Sequence, residues 1–258
     1  GEVFDGIAPL IISASRATDI PAFYSRWFME RLNKGYVKWI NPFSGKPQYV
    51  SFQKCRFIAF WTKNPSPIIP LLSEIEGKKI RYFFQMTLND YEKERLELHV
   101  PSLDERICNF RSLSRRIGPE KVFWRFDPII LTGTITPEEI LGRIERIGNR
   151  LAGFTKRLTV SFLSRYAKVD RNLKKAGLVI RDPDSKSVKK IGEGLRKLSQ
   201  GWGMKVVSCA EQIDLSDYGI HNGSCIDPIV VAQNFGDDPE LREFLGLNIE
   251  RDIFGRET

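Results

Sequence analysis

Histidine is scarce in this sequence, with two among 258 residues. That scarcity argues against a metal centre built on several imidazoles. Cysteine is hardly better represented: Cys55, Cys108, Cys209 and Cys225 lie far apart with no Cys-x-x-Cys spacing. Zinc ribbons and small disulfide scaffolds are therefore not indicated, and reduced thiols are the default. No run approaches the roughly 18–20 apolar residues of a membrane span. The opening residues, GEVFDG, lack the basic-then-apolar pattern of a secretory signal. The expectation is a soluble, cytoplasmic protein. No internal repeat or low-complexity linker is visible. The Gly-x-Gly fragment in GEGLRK falls inside a predicted helix rather than after a strand, so it is not a dinucleotide fingerprint.

What is present is enough apolar material for a core. At 41% hydrophobic content, 258 residues suit one domain of the size at which α/β barrels occur. The 40 Lys and Arg against 32 Asp and Glu give a net charge of +8, which favours anionic partners such as nucleic acid or phosphate esters. These basic residues are nevertheless spread over KKIR, FRSLSRRIG, TKRL, RNLKK and KSVKK, as on solvated helix faces.

Short runs rich in β-branched and aromatic residues alternate with longer amphipathic stretches, the pattern of βα units around a parallel sheet. Six strands are predicted, at 8–15, 56–62, 80–88, 121–131, 157–163 and 205–211. Helices are predicted at 21–34, 66–76, 102–117, 137–151 and 185–201, with weaker ones near 226–234 and 238–245. Thr136 before Pro137 and two glutamates, and Ser102 with Glu105, mark two helix starts. The segment 35–53 fits no helix and reads as an extended excursion or hairpin. The fold expected is an α/β partial (β/α)6 TIM-like barrel with mostly parallel strands, occupying 1–258 as a single domain.

In such a fold the polar residues just past the strand ends face one side. The first strand runs into Ser13, Ser15, Arg16, Thr18 and Asp19, and the second into Trp61, Thr62, Lys63 and Asn64. The third ends in Gln85, Thr87 and Asn89; the fourth carries Arg125 and Asp127. The fifth leads to Ser161, Arg165, Tyr166 and Lys168, and the sixth to Cys209, Glu211 and Asp214. Arg125 and Asp127 stand two apart inside the apolar run FWRFDPIIL, so they share a strand face. They read either as a structural ion pair or as a guanidinium held ready for a carboxylate or phosphate. Trp61 reads first as core. Cys209, His221 and Cys225 are chemically suited to zinc or iron, but their spacing matches no short metal motif.

The ordered set IISASRATDIPAFY, NPF, FWTKNP, YFFQMTL, RIGPEKVFWRFDPIILT, SFLSRYAKVDRN and CAEQIDLSDYGIHNGSCID, over about residues 10–228, closely resembles the family named domain of unknown function 1848. The resemblance implies a cysteine cluster near the C-terminus, like the iron–sulfur motif of radical S-adenosylmethionine enzymes, and a partial barrel similar to theirs. This sequence reaches RDIFGRET without such a cluster. A 4Fe–4S centre and S-adenosylmethionine are therefore expected only if cysteines follow residue 258.

Three functions follow. The first is a radical S-adenosylmethionine-like enzyme acting on an anionic small molecule or nucleoside. Ser13, Ser15, Arg16, Thr18, Asp19, Thr62, Lys63, Asn64, Gln85, Arg125 and Lys168 would bind substrate or cofactor, and Asp127 and Glu211 would handle protons. Cys209 or Tyr166 would donate a hydrogen atom. The second is a barrel hydrolase or lyase using Asp127, Glu211 and His221 as acid and base, with or without a metal. The third is a nucleic-acid-associated module, supported by charge and by Tyr82, Phe83, Phe84 and Trp124, which are more naturally core residues.

Overall fold

The computed structural model describes residues 6–15, 17–41, 44–164, 169, 171, 177–209 and 213–246. Its strands are β1 (Gly6–Ile7), β2 (Ile11–Ala14), β3 (Tyr36–Ile40), β4 (Pro47–Ser51), β5 (Phe57–Thr62), β6 (Arg81–Thr87), β7 (Val122–Ile129), β8 (Arg157–Phe162), β9 (Lys205–Cys209) and β10 (His221–Gly223). The α-helices are α1 (Ile20–Phe23), α2 (Ser25–Lys34), α3 (Leu72–Gly77), α4 (Leu103–Ile117), α5 (Pro137–Leu151), α6 (Ser185–Trp202), α7 (Pro228–Phe235) and α8 (Pro239–Phe244). Seven strands share one sheet in the order β10-β9-β8-β7-β6-β5-β2, with β10–β9, β9–β8, β8–β7 and β5–β2 parallel. The α/β class is thus as expected, and all six predicted strands lie in that sheet. The seventh, β10, has only three residues, HNG, and no apolar run announces it. Segment 35–53 forms an antiparallel hairpin, β3 with β4, to which β1 adds in parallel. None of the described helices is long and apolar enough to cross a membrane.

The residues group into two compact units. One holds the described residues up to Phe84 and those from Ile226 onward; the other is Gln85–Cys225. The first unit has an aromatic core. Phe60 stacks on Phe84 with ring centroids 4.9 Å apart and meets Phe28 edge-on, while Phe57 touches Phe83 and Phe235. Its α2 buries Phe28, Met29 and Leu32, at helical spacing, and stops at Gly35 with φ +82°. Arg56 bridges to Glu240 and Arg81 to Asp237, tying α8 and the residues before it to β5 and β6.

In the second unit, α5 presents Ile140, Ile144, Ile147 and Leu151 on one face, all fully buried. Each such side chain contributes about 1.5–3 kcal/mol of burial. The helix starts where Thr136 Oγ1 accepts from the Glu139 amide, and α4 starts likewise on Ser102. α6 begins with Asp184 Oδ1 accepting from Ser187 N at 2.7 Å. Two glycines allow close contact: a Cβ on Gly148 would stand 2.2 Å from the Trp202 ring, and one on Gly192 would stand 2.2 Å from that of Tyr218. β7 carries the unit's largest core side chain, Trp124, whose indole donates to Leu88 O at 2.9 Å. Tyr82, Phe83 and Phe84 in β6 are buried as well, so none of these four rings offers a face for stacking on a base.

The β7–β8 ladder pairs Arg125 with Thr159 and Phe126 with Val160, then resumes at Ile129 with Phe162. Asp127 and Pro128 therefore stand opposite Ser161 alone, a two-for-one bulge.

Candidate functional site

The polar residues at the ends of β2 and β5, in the first unit, are largely engaged in fastening their own loops. Asp19 caps α1 by accepting from Ala22 N at 3.0 Å, and its other oxygen accepts from Lys63 N at 2.7 Å. Burial pushes its carboxyl up from the usual value, against the Lys63 amide, the Thr62 hydroxyl and the Ala22 amide, which pull it down. Thr62 Oγ1 accepts from Asn64 N, and Asn64 Oδ1 from Ser66 N. Ser15 Oγ accepts from the amides of Ala17 and Thr18, as a serine turn does. Trp61, half-buried rather than core, donates its indole N–H to Ser13 Oγ at 2.9 Å. Thr18 is exposed.

The second unit assembles a different kind of cluster. Arg125, 5% exposed, donates from Nη2 to Asp127 Oδ2 at 2.5 Å, and Ser161 Oγ donates to the other carboxylate oxygen. Burial works against the guanidinium's charge, but the Asp127 carboxylate and a further hydrogen bond to Cys209 outweigh it, so Arg125 holds its proton more firmly than an ordinary arginine. Asn89 fixes the backbone at this point: its amide group donates to Asp127 O and accepts from Asp127 N, both at 3.0 Å. Cys209 Sγ lies 3.2 Å from Cys225 Sγ, and Gln85 Nε2 donates to Cys225 O at 3.1 Å. Gln85, Cys225, Cys209, Arg125, Asp127 and Ser161 thus form one continuous chain of contacts.

Two buried polar atoms in this neighbourhood have no hydrogen-bond partner among the described residues: Gln85 Oε1 and Thr159 Oγ1. Gln85 is 3% exposed and Thr159 2%. Thr159 lies directly beside Arg125 across the β7–β8 ladder, and neighbours at matched positions face the same side of a sheet. A buried group left unpaired costs about 1–3 kcal/mol, so this wall of the sheet is chemically unfinished.

Of the residues expected at a site, the structure therefore joins Arg125, Asp127, Cys209 and Gln85 in one unit, and Ser13, Ser15, Asp19, Thr62, Lys63 and Asn64 line loops of the other. Arg16, Tyr166, Lys168 and Glu211 lie outside the described residues. Of the metal candidates, Cys209 and Cys225 meet, whereas His221 is exposed on β10, close to Asp214. No three His, Cys, Asp or Glu side chains gather as metal ligands among the described residues. Asn89 and Ser161 stood among the polar residues expected at the strand ends but were given no role, and Thr159 was not named. Thr159 sits mid-strand and looks like ordinary β-sheet filler.

The donor set can be tested against an iron–sulfur cluster, which takes three or four thiolates. Cys55 is buried with its thiol on Phe57 O, and burial pushes it up to about 12. Cys108 is exposed on α4. Only Cys209 and Cys225 converge, so the cysteines of this chain do not fit such a cluster.

The family profile of domain of unknown function 1848 matches residues 11–252. The chain belongs to that family. Its match covers nearly all of both units, so the Arg125 cluster and the Asp19 loop fall inside the region that defines domain of unknown function 1848. No curated protein matches the chain. Among solved structures, one of those that match is a protein provisionally assigned as an α-L-fucosidase, from Bacteroides thetaiotaomicron. It is 9% identical with a TM-score of 0.35, over 76% of this chain and 85% of that one.

Proposed function

We propose that the second unit holds the small-molecule site of an enzyme, in which Arg125 grips an anionic group and Asp127 acts on a neighbouring hydroxyl or acidic proton. The observation that carries this reading is the unpaired Thr159 Oγ1 beside a buried, fully charged guanidinium, with Gln85 Oε1 also unpaired in the same neighbourhood. A structural ion pair would need neither. A planar guanidinium suits carboxylate or phosphate oxygens, and Thr159 would donate to the same ligand. Asp127 is held by Arg125, Ser161 and both sides of the Asn89 amide, so its carboxylate keeps one orientation while its side chain stays 27% exposed. That combination suits a general base or a hydrogen-bond acceptor for substrate. Among the described residues of this network it is the one carboxylate, which supports acid–base chemistry of the hydrolase or lyase kind.

The thiols of this chain do not fit the cluster that radical S-adenosylmethionine chemistry needs, and no step in this proposal passes through one. The partial (β/α)6 barrel within a single domain belongs to the same proposal, and so does a site mouth at the C-terminal strand ends.

The test is calorimetric titration of the full chain with inorganic phosphate and with citrate. Saturable binding of either is expected, weakened at least tenfold in Arg125→Met and several-fold in Thr159→Val. A folded Arg125→Met variant that binds both anions as tightly as the parent would remove the proposal.

A further inference from the structure

Cys209 and Cys225 are sixteen residues apart in sequence and come together because β10 adds in parallel to β9, with Gly223 in register with Cys209. Their sulfurs are 3.2 Å apart. A disulfide needs about 2.05 Å, so closure requires a movement of about 1 Å. Gln85 pins the Cys225 carbonyl. The two thiols differ in access, Cys209 being buried and Cys225 half-buried. The other two cysteines have no comparable neighbour: Cys55 bonds a backbone carbonyl and Cys108 is exposed on its helix.

We propose that Cys209 and Cys225 form a reversible dithiol–disulfide pair, oxidised by small-molecule disulfides. The reaction runs in two exchanges. The accessible Cys225, as thiolate, attacks one sulfur of the small disulfide, forming a mixed disulfide and expelling one small thiolate. Cys209, as thiolate, then attacks the Cys225 sulfur and expels the second. Two protein thiols lose two electrons and two protons; the small disulfide gains them and leaves as two thiols. The Arg125 guanidinium is hydrogen-bonded to the Cys209 sulfur. Closing the bond ties the Cys209 sulfur into a disulfide and alters that contact with Arg125. The oxidised protein should therefore hold an anion at Arg125 differently from the reduced one, a consequence that rests on the function proposed above, whereas the pair itself does not.

The test equilibrates the full chain with mixtures of reduced and oxidised glutathione, blocks free thiols by alkylation, and reads the product by intact mass and peptide mapping. The expected product has lost two hydrogen atoms, with the 209 and 225 peptides linked and Cys55 still alkylated. Cys209→Ser should instead retain one glutathione on Cys225, Cys225→Ser should leave the buried Cys209 without glutathione, and Cys108→Ser should close as the parent does. Cys209 and Cys225 remaining fully alkylatable across the series, or each ending capped by its own glutathione in the parent protein, would overturn the proposal. Should the disulfide form while phosphate or citrate affinity is identical in both redox states, the pair stands and its coupling to Arg125 fails.

Discussion

The Arg125–Asp127 pair allows its two possible roles to be separated by stability alone. Converting Asp127 to Asn keeps the shape and much of the hydrogen bonding but leaves a guanidinium, whose side chain is 6% exposed, without its carboxylate charge. Removing one member of a fully buried pair costs about 3–5 kcal/mol; with Asp127 27% exposed, solvent recovers part of this and about 2–3 kcal/mol is expected. Replacing both, as Arg125→Met with Asp127→Leu, removes the desolvated charges together and should lie within about 1 kcal/mol of the parent or above it. Urea unfolding monitored by circular dichroism checks this. With a slope of about 3 kcal/mol/M, the single variant should unfold about 1 M earlier at an unchanged slope, and the double variant near the parent midpoint. A double variant as unstable as the sum of its singles would show that the pair holds the strand together, and the site reading of Arg125 would lose its basis. A stable double variant that no longer binds phosphate or citrate is the outcome the proposal requires.

Other consequences follow from contacts in the second unit. Tyr91 is buried with its hydroxyl donating to Pro128 O at 2.8 Å and accepting from Ile130 N at 3.0 Å, so Tyr91→Phe leaves two backbone groups unpaired and should cost about 2–3 kcal/mol by urea unfolding. Gly192→Ala should destabilise by about 1–3 kcal/mol despite alanine's better helix propensity, because the new methyl meets the Tyr218 ring; pairing it with Tyr218→Ala should recover part of the loss. Hydrogen bonds from Arg143 hold the Glu94 carboxyl below its usual value, a stabilisation present above about pH 4.5 and lost as pH falls through the lowered folded value. Acid unfolding of Glu94→Gln should accordingly be shallower in that range than that of the parent, and a parallel pair of curves would refute the assignment.

Much of the fold was legible because parallel strands buried on both faces are mainly apolar, β-branched and aromatic, as VFWRF, RYFFQMT and RLTVSF are. Helix starts were legible because Ser102 and Thr136 are capping residues in capping contexts. β10 was not, since HNG contributes backbone pairing and no hydrophobic face. The site was half legible. Arg125 and Asp127 stood out as charges inside an apolar run, whereas the Cys209–Cys225 approach depends on a strand pairing that the sequence does not signal. The dense polar stretch after β2 suggested ligand contacts, yet Ser13, Ser15 and Asp19 hold the loop to itself and to β5. Short polar side chains serve backbone capping and ligand binding equally well, so composition alone cannot divide the two.

The bulge in β7 makes residue number, not only residue type, a condition of the cluster. Between Phe126 and Ile129 two residues face the single Ser161, and the ladder regains its phase only by that extra residue. Side-chain alternation has a period of two, so losing either Asp127 or Pro128 would change which side chains beyond Phe126 meet β8. Substitutions here can be graded by their chemistry. A change in length cannot: it would take apart, in one step, the neighbourhood that holds the carboxylate against both Arg125 and Ser161.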